Sequence, residues 1–139
     1  MIEAAKIAGG CRCGAIRYEI GGEAAHHALC HCRDCQMGSG APMVAWSAYR
    51  SADFRVTRGQ PVAFNGAGAS VRQFCGTCGT PLFFVNEENL PGLVDVQTVT
   101  LDDPDAAVPQ VQIQTAERRK WMADLGQLPE FERFPEMPD

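Results

Sequence analysis

Apolar and polar positions along this chain mostly repeat with a period of two, in short runs separated by turn residues. At residues 15–20, Ile16, Tyr18 and Ile20 fall on one side and Arg17 and Glu19 on the other, the pattern of a half-buried strand. Residues 25–29 form an extended run that leads into Cys30. In such a segment Cys30 and Cys32 project to one face and His31 to the other. Residues 42–49 predict an apolar strand around Trp46. Residues 55–57 and 62–65 predict a short strand pair across Arg58-Gly59-Gln60-Pro61. Residues 71–74 and 81–85 predict two strands that carry Cys75 and Cys78 at a hairpin tip. Residues 93–99 and 111–115 complete the strands. Residues 86–92 and 102–109 read as loops, with a helical turn starting at Asp102-Asp103-Pro104. Residues 117–139 read as an irregular tail in which Trp121, Leu125, Leu128, Phe131 and Phe134 are available for packing.

Composition supports a mostly β fold. Fourteen glycines and nine prolines punctuate 139 residues, with no repeat, linker or low-complexity tract, so residues 1–139 are read as a single domain. Apolar residues make up 45% and charged residues 21%, a globular balance. No apolar run approaches the ~18 residues of a membrane helix. Residues 1–10 contain one lysine and no apolar core, so no secretory leader is read and a cytoplasmic location is expected. The net charge of −5 argues against a nucleic-acid or anionic-membrane partner, either of which asks for a basic face.

The seven cysteines change the picture most. They fall in three groups, Cys11/Cys13, Cys30/Cys32/Cys35 and Cys75/Cys78. An odd count in a reducing compartment argues against a disulfide framework. Scattered buried thiols would not cluster at ligand spacing. Thiolates at such spacing can share one tetrahedral zinc through a tight turn, and glycines that supply the unusual backbone angles of such turns flank both pairs: Gly9, Gly10 and Gly14 around Cys11/Cys13, Gly76 and Gly79 around Cys75/Cys78. Seven divides naturally into a closed four-thiolate site, which is structural, and a three-thiolate site with one corner open, which is catalytic or substrate-binding. Two zinc ions per chain are therefore expected. Cys30, Cys32 and Cys35 are close enough in sequence to wrap one ion, leaving the two flanking pairs to meet across the fold. Spacing alone also allows a Cys11/Cys13/Cys30/Cys32 site.

The same residues carry a family resemblance. Gly-Gly-Cys-x-Cys-Gly-x-x-Arg-Tyr at 9–18, Cys-His-Cys-x-x-Cys at 30–35 followed by Ser39-Gly40, and Phe-Cys-x-x-Cys-Gly-Thr-x-Leu at 74–82 resemble the three motifs of the glutathione-dependent formaldehyde-activating enzyme family, relatives of which include centromere protein V. Trp121 and Leu-Pro-x-Phe at 128–131 agree with its tail, whereas Gln114 stands where relatives often have Trp and Leu125-Gly126-Gln127 replaces an Asp-Gly. The resemblance implies a β-tent fold of antiparallel sheets with zinc-binding knuckles. It implies that Cys11, Cys13, Cys75 and Cys78 hold a structural zinc and that Cys30, Cys32 and Cys35 hold a catalytic one. It also implies a carbon–sulfur lyase like S-(hydroxymethyl)glutathione synthase, joining a thiol such as glutathione to formaldehyde or another small aldehyde.

A thiol on the open corner would lose its proton and become the nucleophile. A nearby group should then protonate the alkoxide formed from the aldehyde, and His31, Asp34 and Arg33, beside the ligands, are the candidates. His26 and His27 lie upstream without ligand spacing and are read as structural. The alternative is a non-catalytic, zinc-stabilised thiol-binding or interaction module on the same fold. The expected partners are a small-molecule thiol and an aldehyde, and a homodimer is allowed by the sequence.

Overall fold

The computed structural model describes residues 6–136, so the first half of the N-terminal stretch and the last three residues of the tail lie outside the described residues. Ten strands form two sheets. The smaller contains β1 (Ile7–Gly10), β2 (Arg17–Ile20) and β5 (Phe54–Arg58), in that spatial order and antiparallel. The larger has the order β10-β3-β4-β9-β8-β7-β6, built from β3 (His26–Cys30), β4 (Val44–Arg50), β6 (Val62–Asn65), β7 (Ser70–Phe74), β8 (Pro81–Asn86), β9 (Leu93–Gln97) and β10 (Val111–Ile113). Its pairs are antiparallel except β10 on β3, which is parallel. The protein is thus mostly β, in the β-tent arrangement, with one antiparallel sheet and one made mixed by the β10–β3 pair.

The core lies between the two sheets. Tyr18 and Ile20 of the smaller sheet are fully buried with Phe83 and Val96 of the larger. The Tyr18 ring meets Phe83 edge-on at 5.2 Å, and Phe54 meets Phe83 at 4.9 Å. Tyr18 keeps its hydroxyl satisfied through Thr100 Oγ1 at 2.7 Å, so its burial leaves no orphaned polar group. Strand alternation puts Tyr49, Phe83, Val94 and Val96 on this inner face. The opposite face of the larger sheet carries the site described below.

The expected pairing of residues 55–57 with 62–65 is not what forms. β5 bonds to β2 and β6 bonds to β7, so the Arg58-Gly59-Gln60-Pro61 segment crosses between sheets. The physical reason is burial: Phe54 and Val56 pack on the Tyr18 cluster, which draws β5 into the smaller sheet. Strand β1 and the α-helix α1 (Arg33–Ser39) were not expected from the sequence, nor were the 3-10 turns at Ser51–Asp53 and Thr115–Glu117. The strand expected over residues 93–99 ends at Gln97, where a 3-10 turn takes over Thr98–Thr100. In the tail, Lys120–Gln127 forms 3-10 turns broken by a kink at Asp124, and Trp121, Leu125, Leu128, Phe131 and Phe134 are exposed rather than packed. Among the described residues no helix is long and apolar enough to cross a membrane.

Candidate metal centres

All seven cysteines are free thiols, and they gather into two clusters. Cys11, Cys13, Cys75 and Cys78 form one; Cys30, Cys32 and Cys35 form the other. Within each cluster the sulfur atoms all lie within 4.8 Å of one another. The alternative grouping of Cys11 and Cys13 with Cys30 and Cys32 is not formed.

Two similar knuckles build the four-cysteine cluster. In the first, Cys11 N–H bonds to Ile16 O at 3.1 Å and Gly14 N–H bonds to Cys11 O at 3.1 Å. In the second, Cys75 N–H bonds to Thr80 O at 3.0 Å and Gly79 N–H bonds to Cys75 O at 2.9 Å. Gly14 and Gly79 have φ of 81° and 80°, left-handed conformations that a side chain would strain. Thr80 ties the knuckles together: its Oγ1 accepts from Arg12 N–H at 3.1 Å and stands 3.1 Å from Cys78 Sγ. That contact is the leading cause that holds the Cys78 thiol down at about 5. Backbone N–H groups of Ile16, Thr77 and Cys78 also point at Cys11 and Cys75 sulfurs, an environment suited to thiolates.

The three-cysteine cluster sits on the outer face of the larger sheet. Cys30 ends β3, and Cys32 caps α1, its Sγ accepting the Cys35 N–H at 3.2 Å. The helix then turns Cys35 back to within 3.5 Å of Cys30 Sγ. The Cys30 hydrogen bond is the main cause that lowers the Cys35 thiol to about 5, with Arg72 and Trp46 helping; the same pairing pushes Cys30 up. Arg72 crosses from β7 to staple the helix. Its Nη2 donates to Asp34 Oδ2 at 2.6 Å and lies 3.8 Å from Cys35 Sγ, with its guanidinium 4.9 Å above the Phe84 ring.

The donor sets fit zinc. A Zn–S bond of ~2.3 Å implies sulfur–sulfur edges of roughly 3.8 Å in a tetrahedron. The observed separations are 3.6 Å for Cys11–Cys13, 3.8 Å for Cys13–Cys75 and 3.5 Å for Cys30–Cys35. Soft all-sulfur sets suit zinc over harder cations.

A cavity of about 290 Å³ opens over the three-cysteine cluster. One row across the sheet runs beneath it, and its His26, Asp95, Phe84 and Arg72 line it. His26 of β3 pairs with Ala48 of β4, Ala48 with Asp95 of β9, Asp95 with Phe84 of β8, and Phe84 with Arg72 of β7. Cys30 and Trp46 lie on the same face. Ile113 and Gln114 close one side; Gln114 adopts φ 57°, the one positive value among the described non-glycine residues. Burial pushes the Asp95 carboxyl up to about 6, against the opposing pull of His26.

Of the residues singled out for proton transfer, Asp34 is on the cavity wall with its carboxylate engaged by Arg72. His31 is 1% exposed, does not line the cavity, and bonds Gln112 Oε1 through Nε2 at 2.8 Å. Its face follows from strand alternation at positions 30–32. His27 also points away, bonding Ser47 Oγ at 2.7 Å. Asp95 and Arg72 are charged cavity residues that the sequence did not mark, and His26, which it read as structural, lines the cavity with them. Only the strand register brings them together, and a pairing pattern over residues 26, 48, 95, 84 and 72 cannot be read from spacing.

The fold and the two clusters define a cysteine-rich β-tent protein with two sites that could each hold a metal ion. The sequence model of the family described as glutathione-dependent formaldehyde-activating enzyme matches residues 6–117, and the chain belongs to that family. A crystal structure of a Rhodobacter sphaeroides protein is similar in fold, with a TM-score of 0.58 and 26% identity, covering 76% of this chain and 97% of that one. No curated protein sequence matches the chain significantly.

Proposed function

We propose that the protein is a zinc-dependent carbon–sulfur lyase that joins a small thiol, of the glutathione type, to formaldehyde or another small aldehyde. Membership of the family supports the formaldehyde chemistry. The observation that carries the reading is the contrast between the two clusters. Four cysteines at the knuckles complete a tetrahedron, whereas Cys30, Cys32 and Cys35 offer three sulfurs at the floor of a cavity. Four ligands close a structural zinc and three leave a corner for a substrate. When bound there, zinc would favour the thiolate form of a substrate thiol and hold it in place.

The chain's own residues supply the rest. Trp46 and Phe84 give the cavity apolar walls that limit access of water. Arg72 places a positive charge beside Cys35 and Asp34, so the negative charge of the cluster is partly balanced before any ligand arrives. A cavity of about 290 Å³ lies at the low end of small-molecule sites, which run from ~300 Å³ upward, and it suits the reacting end of a thiol with a small aldehyde. Seven free cysteines suit a reducing, cytoplasmic setting.

The test is the rate of exchange between free thiol and hydroxymethyl thioether, read by NMR with glutathione and formaldehyde. Zinc-loaded protein is expected to speed the exchange well above the uncatalysed reaction, and Cys32→Ser is expected to abolish the effect. Thiol binding without acceleration would instead indicate the non-catalytic binding module.

A further inference from the structure

His26 and Asp95 belong to strands that are not neighbours. β4 lies between β3 and β9, and at the register position that links them it carries Ala48, fully buried. Because that side chain is a single methyl, His26 reaches across it, with Nε2 3.7 Å from Asp95 Oδ1. Asp95 is 7% exposed, and its Oδ1 has no hydrogen-bond partner among the described residues. A buried carboxylate oxygen without a donor is costly. Among the described residues, the His26 imidazole is the basic group within 4 Å of it. The His26 side chain is 38% exposed and also lines the cavity above Cys30, Cys32 and Cys35.

We propose that His26, beside Asp95, is the proton-transfer group of the three-cysteine cavity, taking the proton of the substrate thiol and returning it to the aldehyde oxygen. This rests on the thiol–aldehyde reading above. In the forward direction the S–H proton goes to the imidazole. The sulfur lone pair then forms the C–S bond, the carbonyl π pair moves to oxygen, and that oxygen takes the proton back from His26. No proton is gained or lost overall, and no oxidant or reductant is needed. Asp95 acts through His26 and is a positioning residue: its carboxylate oxygen stands 3.7 Å from Nε2 and offers the ring a negative partner. Asp34 is less suited, because Arg72 already holds its carboxylate at 2.6 Å.

The charged and titratable groups that face the pair are few. Cys30 and Cys32 come from β3 and its end, Asp34 and Cys35 from α1, and Arg72 from β7. The strands that flank Asp95 contribute Ala48 and Phe84, and the following loop contributes Asn89 and Leu90, all uncharged.

The test counts protons. Zinc-loaded protein is titrated with glutathione at pH 7.5 by calorimetry in buffers of different ionisation enthalpy. Most of the free thiol, of pKa ~8.5, is protonated there. Wild type is expected to release clearly less than one proton per thiol bound, because His26 keeps it. His26→Gln is expected to release close to one, and Asp95→Asn to fall between. Equal counts in all three proteins would overturn the proposal. Exchange kinetics give a second readout. His26→Gln should slow exchange by about 100-fold, the lower end for general acid–base catalysis, with glutathione affinity within about threefold. Asp95→Asn should slow it by about 10-fold, at the weaker end expected for a group acting only through another, and change the shape of the pH–rate profile, because a titratable carboxylate beside His26 is removed. A loss of folded protein alone would not move that profile. If wild-type protein fails to accelerate exchange, the lyase reading falls, and the proton count still decides whether His26 takes the thiol proton.

Discussion

Arg72 and Asp34 join the outer sheet face to helix α1 through a 2.6 Å hydrogen-bonded ion pair, and the same guanidinium nitrogen lies 3.8 Å from Cys35 Sγ. Asp34 is largely exposed, so the pair itself adds little stability. Its effect falls on the cluster. Arg72→Met is expected to weaken zinc at the three-cysteine site by roughly 10-fold or more, as loss of an outer partner commonly does. Competition with a chromophoric chelator measures this, and the four-cysteine site serves as the internal control.

The two clusters should respond differently to loss of one ligand. Cys75 is buried at the junction of the knuckles, so Cys75→Ser should lower the melting temperature sharply, since a structural zinc can contribute on the order of 10 kcal/mol to folding. Cys32→Ser should leave the fold largely intact and abolish thiol binding. Equal drops in melting temperature would remove the distinction between a structural and an open site.

The knuckle glycines give a cleaner test of local geometry. Gly79 has φ 80°, and a Cβ placed there would meet nothing within 4 Å. Gly79→Ala should therefore cost only the backbone strain, about 1–2 kcal/mol. Denaturant unfolding of the zinc-loaded protein measures it; a neutral result would mean that the turn relaxes without consequence.

Asp95 should make stability depend on pH. Burial raises its carboxyl to about 6 in the folded protein, above its ordinary value of 3.8. Between these values the folded state holds the proton more tightly than the unfolded state. Stability is therefore lost as pH rises from about 4 to about 6, by up to ~2–3 kcal/mol at 1.36 kcal/mol per unit. Asp95→Asn should remove this slope. Urea midpoints at pH 4.5 and 7 for the two proteins test it, and parallel changes in both would place the titration elsewhere.

Much of the site was legible because ligand spacing is a local property. The three cysteine groups and the turn of His31 away from Cys30 and Cys32 follow from positions within a few residues of each other, whereas spacing left the division of the cysteines into two sites open and the fold decides it. Period-two alternation likewise located most strands. Helix α1 escaped because Arg33–Ser39 is short and its cap is a cysteine sulfur, outside the usual capping residues. β5 and β6 were misjudged because proximity in sequence favours a hairpin, while burial of Phe54 and Val56 decides for β2. His26, Asp95 and Arg72 meet only through the order of β3, β4, β9, β8 and β7, which is non-local information.

The most direct test of the account is the metal content of the protein and the response of the second metal to a thiol. Cobalt substituted for zinc gives a visible spectrum that reports sulfur ligation. The account predicts two metals per chain, with the ion held by Cys30, Cys32 and Cys35 the weaker. It further predicts that glutathione changes that ion's spectrum to that of a four-sulfur site, while the ion at Cys11, Cys13, Cys75 and Cys78 is unaffected. One metal per chain with three freely titratable thiols, or a second metal whose spectrum ignores glutathione, would contradict it.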